Sequence, residues 1–318
     1  MIGLKDVQNA YERIRQVVVH TPVMTSSTID RMTGCKVYFK CENFQRVGAF
    51  KFRGAYNCVS LLSSEERRRG VITHSSGNHA QALALAASML GVKAVVVMPN
   101  TSPKVKVDAT RSYGAEVVLC QPTLESREAT TKDLIERNGY VLVHPYNDER
   151  IIAGAGTAAM ELIMETGDLD CVLAPVGGGG LISGTAIATK GLCPEAQVFA
   201  VEPESADDAY RSFKQGKIVP SVNPSTIADG LRTSLGTVTF PIIQRLVDEV
   251  VTVTEAAIVE SMRLLWERMK LVVEPSGAVA LAGLLKISDA LEGNRVGVII
   301  SGGNVDLTRF FDQYSGIA

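Results

Sequence analysis

The sequence predicts an α/β fold built on a parallel sheet, and three observations predict it. From about residue 70 onward, short β-branched runs alternate with helix-length segments. The runs are continuously apolar rather than alternating, as strands covered by helices on both faces must be. Three of them end in loops of small residues, and in such folds ligands sit just beyond the carboxyl ends of the strands.

The elements follow in order. The first twenty residues, MIGLKDVQNAYERIRQVVVH, read as an amphipathic helix of mixed charge and lack the uninterrupted apolar stretch of a signal peptide. EERRR, at 65–69, reads as a solvated helix end. The predicted strands are GVITHSS (70–76), AVVVMP (94–99), EVVLC (116–120), YVLVHP (140–145), CVLAPVG (171–177), VFAVEP (198–203), VVTVT (250–254) and VGVIIS (296–301). Helix-length segments at 79–90, 124–137, 150–166 and 255–269 separate them, which is a repeated βαβ pattern with right-handed crossovers. The aliphatic and methionine stripe through 256–270 is core packing. There is no Gly/Ser/Pro linker and no internal repeat, so any division into lobes must come from topology.

The bulk numbers exclude several classes of partner. The chain has 318 residues, 46% of them hydrophobic, with a net charge of −2, enough for one large domain or two lobes. The near balance of charge speaks against nucleic acid or an anionic membrane as the main partner. No apolar run reaches the ~18 residues of a spanning helix. The six cysteines form no CxxC pair and no zinc-like spacing with the four histidines, which reads as reduced thiols in a cytosolic enzyme.

Function is sought in the three loops. After Ser75 comes SGNHAQ, after Val176 comes GGGGLISG, and after Ile300 comes SGGNVDL. Gly177, Gly178, Gly179 and Gly180 free the backbone to turn its N–H groups toward one point at the positive end of the next helix, a cup for phosphate. A flexible turn is the plainer account of four glycines, but not between a buried strand and a helix. A dinucleotide fold is the rival, since Glu202 stands 25 residues after Gly177, where a ribose-binding acid belongs. GxGxxG fails, however, with Ile182 or Ser183 in its third glycine position, and no Walker A motif is present. The cup suits a single phosphomonoester.

Lys51 lies between Phe50 and Phe52 in QRVGAFKFRGAYN. A snorkelling lysine would have polar neighbours, whereas burial between aromatic rings lowers an ammonium's pKa and yields an amine able to form a Schiff base. A phosphate cup and such a lysine together point to pyridoxal 5′-phosphate.

The segments FKCENFQRVGAFKFRGAYN, THSSGNHAQ, APVGGGGLISG, EPESADDA, ERMKLVVEPSGA and SGGNVDL, in that order along nearly the whole chain, resemble the serine racemase and short (catabolic) serine/threonine dehydratase family. The resemblance implies the tryptophan-synthase-β-like architecture (fold type II of the pyridoxal-phosphate enzymes). Its large lobe would comprise 1–68 and 148–318 and its small lobe 69–147, in a cytoplasmic homodimer. The chain stops soon after SGGNVDL, which matches the form without a regulatory tail. Residue by residue, it makes Lys51 the Schiff-base lysine and the base on one face of the substrate α-carbon, and Ser76 the hydroxyl on the other. Asn78 would bond the cofactor's ring oxygen, Phe50 would pack near the ring, the four glycines would hold the phosphate, and Ser301 would meet the pyridine nitrogen. Ser75, His79 and Arg127 fall where carboxylate is bound. A serine at the ring nitrogen need not keep it protonated, so loss of a β-hydroxyl or simple reprotonation is favoured over transamination. Ala49 departs from the serine that many dehydratases carry there, which tilts the resemblance toward serine racemases and hydroxyaspartate dehydratases.

The implied reaction is deamination of L-serine and L-threonine to 2-oxo acids and ammonia, with serine racemisation. The close alternative is dehydration of threo-3-hydroxyaspartate, with Arg127 on the side-chain carboxylate, and the different-class alternative is a nucleotide-binding oxidoreductase. In EPESADDA the resemblance implies a divalent-cation site of Glu202, Asp208 and the Ala206 carbonyl, suited to Mg²⁺, Mn²⁺ or Ca²⁺, where the plainer account is helix capping by acids. His20 and His144, close to prolines, read as structural, and Glu274 either faces the cofactor ring or caps the next helix.

Overall fold

The computed structural model describes residues 2–102 and 104–307. Among them ten strands form two sheets: β1 (Val23–Met24), β2 (Lys36–Cys41), β3 (Val71–His74), β4 (Ala94–Pro99), β5 (Glu116–Cys120), β6 (Val141–Leu142), β7 (Cys171–Pro175), β8 (Gln197–Pro203), β9 (Glu249–Val253) and β10 (Arg295–Ile300). One sheet has the order β1-β2-β10-β7-β8-β9 and the other β5-β4-β3-β6. The eight predicted runs are β3 to β10, and every pair among them is parallel.

Two strands escaped the prediction. β2 pairs with β10 in parallel and β1 with β2 antiparallel, so the larger sheet is not parallel throughout. The run KVYFKC carries lysines at both Lys36 and Lys40, which hides a strand from a search for unbroken apolar runs. Lys40 is nevertheless fully buried, because its ammonium meets the Glu161 carboxylate at 2.8 Å.

The larger sheet is covered on both faces, and the two-residue period of its strands sorts the side chains. Cys171 and Leu173 of β7, with Phe39 and Val298, join the cluster that includes Leu281 and Leu284 of the helix Pro275–Ile287. Val172 and Ala174, with Ile299, join Ala155 and Ala159 of the helix Glu149–Thr166 and Ile182 and Ala186 of the helix Gly180–Leu192. The predicted helix at 255–269 is an α-helix over Glu255–Leu264 that widens into a π turn over Leu265–Met269, with Met262, Leu265 and Met269 in the core. Over the smaller sheet, Val71, Val96 and Met98 pack with Leu83 and Ala86 of the helix Asn78–Met89, and with Phe52 and Val59 of the helix Lys51–Ser60. Parallel order brings the carboxyl ends of β3, β7 and β10 to one cavity.

Candidate active site

That cavity has a volume of about 450 Å³. It brings together Phe50, Lys51, Ser75, Ser76, Asn78, His79, Arg127, Gly177 to Gly180, Glu274 and Ser301, from both sheets and from opposite ends of the chain. Glu202, Ala206 and Asp208 do not line it.

Lys51 opens the helix Lys51–Ser60, directly after Phe50. Its Nζ donates to the Pro145 carbonyl at 2.8 Å and stands 5.1 Å from the centroid of the Phe50 ring. Burial draws the ammonium down from 10.5 to about 8, against the pull of the Glu274 carboxylate. The expected pair of flanking rings is corrected here. Phe52 is fully buried with its ring 5.7 Å from that of Tyr56, because it stands two positions from Phe50 on the same helical turn and so points to nearly the opposite side. Only Phe50 accompanies the amine.

The glycine loop joins β7 to the helix Gly180–Leu192, whose N-terminus no described side chain caps. Gly179 has φ +92°, open to glycine and strained for other residues. A Cβ on Gly178 would collide with the Tyr146 ring, and one on Gly177 would come within 2.9 Å of the Leu231 Cα. The cradle therefore exists only in glycine, and its N–H groups and helix dipole suit the phosphate of pyridoxal phosphate.

Across the cavity, Ser75, Ser76 and Gly77 lead from β3 into the helix Asn78–Met89, another N-terminus without a side-chain cap among the described residues. Asn78 is held at both ends: Nδ2 donates to Glu274 Oε1 at 2.8 Å, and Oδ1 accepts from Asn304 Nδ2 at 2.9 Å. Burial raises the Glu274 carboxyl to about 8. Glu274 makes no side-chain cap to its own helix, so of its two expected roles the carboxylate takes the one facing the cavity. The His79 ring is buried with Nε2 3.2 Å from the Val143 carbonyl, while Nδ1 has no partner among the described residues. Burial holds its pKa well below 6.5. Arg127 lines the wall with its Nε buried and lacking a hydrogen-bond partner among the described residues. The Ser301 hydroxyl donates to the Ser276 carbonyl at 3.4 Å.

Several wall residues had no sequence signal. His144 Nδ1 accepts the N–H groups of Tyr146 and Asn147 at 3.3 and 2.9 Å, so its ring does the structural work expected of it while facing the cavity. Burial and the neighbouring His74 lower it to about 4. Lys106 and Asp229 meet at 2.9 Å on the cavity wall, joining segments 123 positions apart. No local pattern announces such a pair.

The acids of EPESADDA lie at the carboxyl end of β8. Glu202 accepts the N–H groups of Ala209 and Tyr210, 3.2 and 2.5 Å away, and so caps the helix Asp208–Gln215 from outside it. Asp208 Oδ2 is buried and has no hydrogen-bond partner among the described residues. Burial, with each acid near the other, raises Glu202 to about 9, and burial raises Asp208 to about 7. Among the described residues no group of three or more His, Cys, Asp or Glu gathers around a metal position.

A half-buried amine and a glycine cup that open on one cavity define an enzyme that uses a phosphorylated aldehyde cofactor. The chain belongs to the pyridoxal-phosphate dependent enzyme family, whose pattern matches residues 14–302, and it has the tryptophan-synthase-β-like fold. It is 50% identical over 311 residues to a serine racemase of Dictyostelium discoideum, covering 96% of each chain. It is 49% identical over 312 residues to an L-threo-3-hydroxyaspartate ammonia-lyase of Saccharomyces cerevisiae, covering 98% of this chain and 96% of that one. The crystal structure of the T.th. threonine deaminase matches with a TM-score of 0.91 at 45% identity, over 96% of this chain and 99% of that one. The oxidoreductase alternative is thereby set aside, and Glu202 is turned onto backbone N–H groups rather than toward the glycine loop's cavity. No helix among the described residues is long and apolar enough to cross a membrane.

Proposed function

We propose that the protein deaminates L-serine and L-threonine to 2-oxo acids and ammonia and also interconverts the serine enantiomers. The observation that carries this reading is the convergence of Lys51 and Ser76 on one cavity with the glycine cup. Pyridoxal phosphate, when bound, supplies an aldehyde for the Lys51 amine and a ring that accepts the electron pair released at the substrate α-carbon.

Lys51 takes the α-proton on one face, and its lowered pKa keeps a useful fraction neutral near physiological pH. Ser76 returns a proton to the opposite face, which inverts the centre. Asn78, fixed by Glu274 and Asn304, has one N–H left for the ring oxygen. The Ser301 hydroxyl, a neutral group, would face the ring nitrogen without protonating it. The uncapped helix end at 77–79 and Ser75 receive the substrate carboxylate. The six cysteines are all free and buried, in keeping with a reducing, cytoplasmic setting, and the reading includes a homodimer of two lobes divided near 69 and 147.

Glu202, Asp208 and the Ala206 carbonyl would hold a divalent cation. A buried carboxylate oxygen of Asp208 with no partner among the described residues, beside a second acid, fits that role, and the cation would neutralise the pair and order the segment after β8.

A second reading, threo-3-hydroxyaspartate dehydration, is favoured by the Arg127 Nε in the cavity wall, which lacks a partner among the described residues and is a donor for a second carboxylate. Incubation of cofactor-loaded protein with L-serine, D-serine, L-threonine and threo-3-hydroxyaspartate decides between them. The measurements are 2-oxo acid, ammonia and the enantiomer ratio of remaining serine. Turnover of hydroxyaspartate alone would replace the first reading, and no turnover of any would overturn both.

A further inference from the structure

Arg53 stands two residues after Lys51, in the first turn of the same helix, and none of it is exposed. A guanidinium taken wholly out of water must find opposite charge and a full set of acceptors. Arg53 finds two carboxylates. Nε and Nη2 donate to Glu42 Oε2 and Oε1 at 2.7 and 2.8 Å, and Nη1 and Nη2 donate to Glu161 Oε1 and Oε2 at 2.8 and 2.7 Å. Nη1 also reaches the Thr157 hydroxyl at 3.2 Å. Both forks are bidentate, the geometry only arginine's planar group can supply.

The carboxylates are held from behind. The Thr21 hydroxyl donates to Glu42 Oε1 at 2.6 Å, while Lys40 Nζ meets Glu161 Oε2 at 2.8 Å and donates to the Thr21 carbonyl at 2.7 Å. Two cations and two anions thus cancel. Such a buried quartet adds little stability over apolar side chains of the same volume, so stability alone does not account for it. A fixed position does. The quartet ties β2 and the turn after it to the Lys51 helix and to the helix Glu149–Thr166. The second of these helices begins four residues after Pro145, whose carbonyl receives the Lys51 amine. Beside the quartet the two helices touch backbone to backbone, since a Cβ on Gly154 would come within 2.6 Å of the Gly54 Cα.

We propose that Arg53 is a positioning residue for Lys51. Its double fork fixes the helix turn that carries the amine against the helix whose leading segment carries the amine's acceptor. Arg53 does not line the cavity and acts only through that turn. The inference rests on Lys51 being the amine that bonds the cofactor.

Arg53→Lys keeps the charge and removes the forks, while Thr157→Val and Thr21→Val keep all four charges and each remove one supporting hydroxyl. Three readouts separate positioning from general support: binding of pyridoxine 5′-phosphate, which has the phosphate but no aldehyde; the rate at which the visible absorbance of lysine-bound pyridoxal phosphate develops; and kcat against KM for L-serine. For Arg53→Lys the expected result is native pyridoxine phosphate binding, slower development of the absorbance, and kcat lowered ~100-fold with KM little changed, as for a reacting group displaced by about 1 Å. The two threonine variants should show smaller losses in the same direction. Native kcat and native absorbance in Arg53→Lys would overturn the proposal. So would pyridoxine phosphate binding that falls in step with kcat, the mark of general support. Should Arg53→Lys not fold, native rates in both threonine variants would overturn it. If the unsubstituted protein binds pyridoxine phosphate yet develops no visible absorbance with pyridoxal phosphate, the assignment of Lys51 fails first and the role of Arg53 with it.

Discussion

Replacing Lys51 by methionine should make the cofactor-free protein more stable while abolishing turnover, with a size and pH dependence set by the structure. Burial lowers the ammonium from 10.5 to about 8, so the folded state holds this charge at a cost. At ~1.4 kcal/mol per tenfold, that cost is about 3 kcal/mol. Methionine keeps the apolar stem and removes the charge, but leaves the Pro145 carbonyl without its donor, which returns about 1 kcal/mol. Partial exposure of the side chain screens the charge and lowers the figure further, so a net gain of about 2 kcal/mol is an upper value.

The sign with pH follows from proton binding. Between pH 8 and 10.5 the unfolded chain binds the lysine proton and the folded chain does not, so native stability rises with pH there. The advantage of Lys51→Met should be full below pH 8, shrink by up to ~1.4 kcal/mol per pH unit above it, and vanish or reverse by 10.5. Urea unfolding of both proteins at a series of pH values, with cofactor removed, measures the difference directly. A variant no more stable than the native chain at pH 7, or an advantage that does not fade with rising pH, would refute burial as the cause of the lowered pKa.

Three further outcomes are expected. Ser76→Ala should lower D-serine formation ~100-fold or more, the usual contribution of a general acid, while part of the L-serine elimination survives; equal loss of both, read by chiral analysis and 2-oxo acid release, would make Ser76 merely positional. Gly178→Ala places a methyl against the Tyr146 ring and should cost about 1–3 kcal/mol in melting experiments and weaken pyridoxine phosphate binding; unchanged binding would remove the loop from the cofactor site. Chelation should lower melting temperature and activity together, with Mg²⁺ or Mn²⁺ restoring both, since a cation at a hundredfold excess over its dissociation constant stabilises by ~3 kcal/mol. Asp208→Ala should mimic chelation and no longer respond to metal. If neither treatment moves the melting curve, Glu202 and Asp208 serve the helix alone.

Local chemistry made much of this protein legible in its sequence. Eight strands announce themselves because strands of parallel sheets, most of them buried under helices, carry short unbroken apolar runs. The glycine run announces itself because only glycine lets consecutive N–H groups turn to one point. Lys51 stands out because a lysine beside aromatic residues is rarely solvated. What the sequence could not contain is adjacency. Strand order set β10 between β2 and β7, and the packing of the two sheets brought Ser301, Glu274, Asn78 and Lys51 around one volume. Burial decided the direction of Phe52, the capping of a helix by Glu202 and the presence of His144 in the cavity wall. The quartet around Arg53 marks the limit most sharply. A charged residue reads as exposed until its partners are known, and Glu42 and Glu161 stand 11 and 108 positions away. A buried charge is a property of the pair, and only the folded chain makes the pair.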